Sequence, residues 1–247
     1  MEDDLKCIIM ELPVLTGTID RRILINYRVK PEVVRALLPP HLEPLVVNGY
    51  ASAGVCLLKL KNIGMKYFPS FLKITSENAA HRFLVTFKEG DGIMNGVYIP
   101  RRDTDSMLNV VVAGKMFSWP HHPASFQINE ANGRYCVRMK SEDDHASLDV
   151  EAQIADGFPS DSMFESLAHA SSCFQGCAVG VSPSIKSKTF KKIELKTNTW
   201  SVTPLQVRSL KSSYFEDKLL FPDGSIRFDH ALLMERIQHE WLSHGNM

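Results

Sequence analysis

The chain has 247 residues, 44% of them hydrophobic and 23% charged, with 28 basic and 28 acidic side chains. That composition suits a globular chain able to bury a core, and its length admits one large domain or two small ones. Zero net charge gives no global drive toward nucleic acid or an anionic membrane, and no apolar run reaches the roughly 20 residues that span a bilayer.

Residues 1–17 read as an N-terminal arm with little structure of its own. Its acidic opening, MEDDLK, is unlike a signal or transit peptide, and with five cysteines this points to reduced thiols in a cytoplasm. Ile19–Val29 reads as a strand, with Ile23, Ile25 and Tyr27 alternating to one face. Pro31 opens a short helix through Leu38, and Pro39-Pro40 ends it. Asn48-Gly49 between two apolar runs predicts a type I′ hairpin. Phe71–Thr75 and Arg82–Phe87 read as extended, and Glu89-Gly90-Asp91-Gly92 as a turn.

The segment from Gly96 to Phe126 changes character several times, as pocket-building segments do. Gly96–Ile99 reads as a strand ended by Pro100, and Asp103 or Thr104 as the cap of a buried apolar helix. Trp119-Pro120 stops that helix, because proline lacks an amide proton and restricts the residue before it. Further on, Asn132-Gly133 marks a second hairpin and Ser147–Ile154 a strand. Pro159–Asp161 opens a short helix through Ala170, Lys191–Val202 is extended, and Pro204–Tyr214 suits either strand or helix. Pro222-Asp223-Gly224 is a turn. Leu233, Ile237 and Trp241 fit a helical spacing, yet Ser225–Met234 equally suits a strand. Many strands, two Asn-Gly hairpins and few helices predict an α+β, mostly antiparallel domain over residues 18–247.

No phosphate loop, nucleophile elbow or metal pattern of strong spacing is present, so no metal and no cofactor are expected. Cys173 and Cys177 read as ordinary packed thiols. His121 and His122 fall on opposite faces of an extended segment, so one of them can face a pocket as an acid or base. Arg101 and Arg102 suit bidentate capture of a carboxylate, or an ion pair with Asp103 or Asp105. Glu77 and Arg82 bracket a strand entry, as a surface pair or as cavity-lining groups, and Trp119 joins the candidate binding residues. Lys115, on the apolar helix, is a candidate amine nucleophile if desolvated, though a lysine there more commonly snorkels to solvent.

Several short motifs occur in a telling order: Tyr27-x-Val29, Leu37-Leu38-Pro39, Asn48-Gly49-Tyr50-Ala51, Glu77-x4-Arg82, Gly96-Val97-Tyr98, Asp103-x-Asp105, Ala113 through Pro120 with His122 and Ala124, then Trp200 and Pro204-Leu205-Gln206. Together they resemble an uncharacterised bacterial family related to acetoacetate decarboxylase. The resemblance implies a bent antiparallel sheet closing into a barrel or cone around a central pocket, and a small-molecule ligand. It makes a homo-oligomer plausible. The decarboxylases carry a Gly-aromatic-Pro-Lys-Lys sequence whose first lysine forms the Schiff base. Aligned on the proline, this chain reads Ser118-Trp119-Pro120-His121-His122. Imidazole forms no imine, so the resemblance implies a pocket for a small carbonyl or carboxylate metabolite without the family's lysine chemistry, either in an acid–base enzyme or in a non-catalytic binding protein.

Overall fold

In the computed structural model, residues 14–67, 73–110, 119–184 and 189–246 are described. Among the described residues thirteen strands form one sheet, accompanied by three short helices described over their full length. Strand β1 (Leu15–Val29) leads into helix α1 (Pro31–Leu37), then the short β2 (Glu43–Pro44) and β3 (Val46–Val47). Long strands follow: β4 (Tyr50–Met65), β5 (Ile74–Glu89) and β6 (Gly92–Thr104). Next come β7 (His122–Ala131), β8 (Arg134–Ser141), β9 (Ser147–Ile154) and helix α2 (Leu167–Gly176). The chain ends with β10 (Val179–Pro183), β11 (Phe190–Thr197), β12 (Thr203–Ser212), helix α3 (Ser213–Glu216) and the 21-residue β13 (Ile226–Asn246).

The pairings close the sheet twice. One circuit runs β1-β4-β5-β6-β10-β11-β13 and back to β1. A larger one runs β6-β7-β8-β9-β12-β13-β1-β4-β5 and back to β6. The rings are uneven and share a wall of five strands, β13-β1-β4-β5-β6. This is the bent, closing antiparallel sheet that the resemblance implies, with parallel contacts, among the described residues, at β6–β10 and β6–β7.

Alternation sorts each wall strand between the rings. On β1, Ile23, Ile25 and Tyr27 pack into the core of the larger ring, while Leu24 packs into that of the smaller. On β4, Val55 and Leu57 take the first side and Cys56 and Leu60 the second. Both hairpin turns have the expected chemistry. Asn48 and Gly49 sit at φ 47 and 83, Asn132 and Gly133 at φ 50 and 71, the left-handed values a type I′ turn requires.

Four local expectations change. The arm is shorter than expected, because Leu15, Thr16 and Gly17 already pair with β13. Pro100 does not end a strand: β6 continues to Thr104. The β5–β6 register shifts between His81 and Phe83, so Arg82 faces both Ile99 and Pro100, and the missing proline N–H falls at a bulge. The cap of the following helical turn is therefore Ser106, whose Oγ accepts from the Asn109 amide at 3.3 Å, not Asp103 or Thr104. Helix α2 likewise begins after Ser166, whose Oγ accepts from the His169 amide, while Asp161 pairs with Arg28 at 3.1 Å. Residues 204–212 and 226–246 resolve as strands. Leu233, Ile237 and Trp241 share no common face despite their helical spacing: Arg236 takes a positive φ of 55, and Leu233 packs in the larger ring while Ile237 packs in the smaller. The Phe71–Thr75 expectation falls partly, and the body of the apolar helix with Lys115 wholly, outside the described residues.

Inside the larger ring, next to the shared wall, lies a buried ionic network. Arg101 donates from Nε and Nη2 to the Asp103 carboxylate, and also from Nη2 to Asp143 at 2.7 Å and to the Ser141 hydroxyl at 2.5 Å. Asp103 is fully buried, and removing one partner of a buried pair strands the other. Asp103→Ala is expected to cost about 3 kcal/mol of unfolding free energy, read from urea titration. A loss below about 1 kcal/mol would show that the network contributes little.

Candidate functional site

The smaller ring encloses a cavity of about 470 Å³. Most of its wall is aliphatic, with Leu58, Leu60, Ile63, Val97, Ile99 and Ile193 among the lining residues. Into this wall three arginines are set: Arg22 from β1, Arg82 from β5 and Arg102 from β6. Lys73 stands at an exposed position, and no aspartate or glutamate lines the cavity among the described residues. A cation in apolar surroundings without a counter-charge is costly, and such a cavity is complementary to an anion.

The contacts of each arginine leave donors free. Arg102 donates from Nη1 to the Ser182 hydroxyl at 2.7 Å and lies 5.3 Å over the Trp119 ring. Burial draws its pKa down to about 10, which still leaves it cationic at neutral pH. Arg82 is 2% exposed, donates from Nη2 to the Asn26 side chain and lies 4.9 Å over the Phe174 ring. A relay fixes that asparagine: its Nδ2 meets His230 at 3.0 Å, and His230 meets the Asp229 carboxylate at 2.6 Å. Arg22 reaches Cys56 and Met234 sulfur atoms at 3.8 and 4.0 Å. None of the three makes an ion pair among the described residues. A guanidinium has five N–H donors, so each retains capacity for a ligand.

His121 also lines the cavity, beside Trp119. Its Nδ1 is 3.4 Å from the Trp119 carbonyl, a contact that the imidazole makes as donor, leaving Nε2 with a lone pair. Burial first, and the Arg102 cation second, push its pKa down to about 3, so it is neutral at physiological pH. Two asparagines complete the polar part of the lining. Asn78 and Asn109 share the Ser76 hydroxyl as acceptor, at 3.0 and 2.9 Å.

The structure brings His121, Arg102, Arg82 and Trp119 together and leaves His122, Arg101 and Glu77 elsewhere. Each excluded residue is next in sequence to one that lines the cavity: His122 to His121, Arg101 to Arg102 and Glu77 to Asn78. His122 pairs with Asp143 at 3.1 Å, in the ionic network of Arg101. Glu77 pairs with Arg21 at 2.5 Å, and Arg21 also meets Glu130. These contacts give the three groups partners away from the arginine cavity. Lys115 lies outside the described residues. Cys177 lines the cavity too, its thiol held protonated by a hydrogen bond to Cys173 and by burial.

Sequence reading missed Arg22, Cys56, Asn78 and Asn109. The Arg21-Arg22 doublet was the available signal for the first, since alternation must send one of the two into each ring. Among the described residues no cluster of three or more histidine, cysteine, aspartate or glutamate groups is placed to hold a metal ion, and no helix is long and apolar enough to cross a membrane.

The fold has known counterparts. An acetoacetate decarboxylase-like enzyme from Sphingomonas wittichii RW1 superposes with a TM-score of 0.60 at 10% identity, over 97% of this chain and 93% of that one. The enduracididine biosynthesis enzyme MppR, in complex with pyruvate, gives 0.58 at 12% identity, over 98% and 92% of the two chains. Acetoacetate decarboxylase from Legionella pneumophila subsp. pneumophila str. Philadelphia 1 gives 0.57 at 13% identity, over 95% and 88%. At these identities the likeness is one of fold. No curated protein matches the sequence. A family model does: DUF2071, described as an uncharacterized conserved protein, matches residues 16–220, and with more than half its length covered the chain belongs to that family, on an acetoacetate decarboxylase-like fold.

Proposed function

We propose that the cavity binds a small metabolite bearing a carboxylate beside a carbonyl group, and that it does so without Schiff-base chemistry. The observation that carries this reading is the set of three arginines in an aliphatic cavity with no carboxylate lining it among the described residues. The pyruvate bound by MppR supports the ligand class, since that protein shares the fold. In this reading Arg102 holds the carboxylate in a bidentate pair, a geometry suited to guanidinium. Trp119 fixes the plane of Arg102 from its other side. His121 offers the Nε2 lone pair to a hydroxyl, as in the enol or hydrate of an oxo acid.

We also read Trp119-Pro120-His121-His122 as the counterpart of the decarboxylase segment that carries the two lysines. An imidazole forms no stable imine, so the electron sink for decarboxylation is missing at that position. With its pKa near 3, His121 is too weak a base to take a proton from carbon at neutral pH, which favours binding over turnover. A bound carboxylate beside Arg102 cancels part of the field that depresses His121, and an acid–base role in the complex is the second reading.

Three outcomes are expected. Calorimetry should detect saturable pyruvate binding, weakened about tenfold or more in Arg102→Met; equal affinity in the variant would remove Arg102 from the site. Because His121 is neutral and Arg102 cationic in the free protein, pyruvate affinity should be flat from about pH 6 to 9; a rise in affinity centred near pH 6.5 as pH falls would mean that a protonated histidine binds. Borohydride reduction with pyruvate should leave every lysine unmodified in peptide mass spectra. A stable adduct at Lys115 or Lys73 would restore imine chemistry and overturn the reading.

A further inference from the structure

The three cavity arginines form two separate groups. Arg22 and Arg82 both bear on Cys56: Arg22 Nη2 lies 3.8 Å from Sγ, and against the effect of burial the two cations hold that thiol below its ordinary value. Arg102 bears instead on His121 and Trp119. The sheet register explains the split. Arg102 lies opposite Ala80, and Arg82 is two residues further along β5 on the same face. At about 3.3 Å per residue and about 4.8 Å between strands, their Cα atoms are about 8 Å apart. The nearby lining is aliphatic, with Leu58, Ala80, Val97 and Ile99.

The Arg22–Arg82 group has the marks of a binding site in its own right. Arg82 is 2% exposed, it lines the cavity, and its Nε has no hydrogen-bond partner. The Nε of Arg22 is likewise unpartnered. Two guanidiniums, Arg82 buried and Arg22 half-buried, bearing on one thiol carry more positive charge than that thiol can balance.

We propose that Arg22 and Arg82 form a second anion subsite beside Cys56, so that the ligand of this cavity is a dicarboxylate with one carboxylate there and the other on Arg102. The two carboxylates are separated by a short apolar spacer that matches the aliphatic wall. This inference rests on the carboxylate reading given above and extends it from one anionic group to two.

Two measurements on the full chain test it. In the first, calorimetry compares straight-chain dicarboxylates, from succinate to pimelate, with monocarboxylates of the same length. At least one dicarboxylate should bind about tenfold more tightly than its monocarboxylate, and Arg82→Met should narrow that gap. Equal affinities would overturn the second subsite and leave the single-carboxylate reading standing, whereas absence of binding by either class would overturn both. In the second, Cys56 of the unmodified sequence is alkylated with iodoacetate or iodoacetamide and followed by peptide mass spectrometry. The anionic reagent should label Cys56 several-fold faster than the neutral one, and the preferred dicarboxylate should protect it. Slower or equal labelling by iodoacetate would overturn the subsite without any substitution that risks the fold.

Discussion

Everything in this molecule depends on a wall that is buried on both faces. Five strands belong to two closed rings at once, so neither face of the wall is turned to water in the way one face of an ordinary antiparallel sheet is. A polar residue placed there must find a partner inside one ring or the other. On the side of the larger ring, Arg21, Arg101, Asp103 and Glu77 supply this by pairing among themselves and with Glu130 and Asp143. On the side of the smaller ring the arginines have no carboxylate partners among the described residues, and the cavity takes up the space that would hold counter-charges. The same alternation that builds the wall thus separates a neutralised ionic network from a cationic site, one residue apart along each strand.

That arrangement explains what was legible in the sequence. The two Asn-Gly hairpins were readable because their turn chemistry is local and needs no knowledge of the rest of the fold. The α+β, mostly antiparallel class followed from the abundance of strands. The closing ring was legible only through the family resemblance, since pairing between β11 and β13 or between β6 and β10 joins segments far apart in sequence. The last 21-residue strand was ambiguous for a physical reason: both of its faces are buried, Leu233 in one ring and Leu232, Met234 and Ile237 in the other, so its apolar residues show no clean alternation.

The candidate site was half legible for a related reason. Its cations and imidazoles occur as adjacent pairs: Arg21-Arg22, Arg101-Arg102 and His121-His122. Composition marks such a doublet as interesting, but only register says which member enters the cavity. Arg82 and Glu77, five residues apart, necessarily face opposite sides of β5, a point that strict period-two counting could have made. Cys56 carried no motif, and its place beside Arg22 and Arg82 emerges only when β1, β4 and β5 come together.

Pro100 has a consequence beyond its missing hydrogen bond. Before it, odd-numbered Val97 and Ile99 line the cavity; after it, even-numbered Arg102 does. Strand β6 is thus written in two reading frames joined at the bulge. Were the strand to run past Ile99 in unbroken alternation, Arg101 would turn into the cavity and Arg102 would take its place in the ionic network. What distinguishes the ligand-facing arginine from the structural one is therefore a residue count, and any comparison among relatives that closes that one-residue step with an ungapped alignment will assign the wrong arginine to the site.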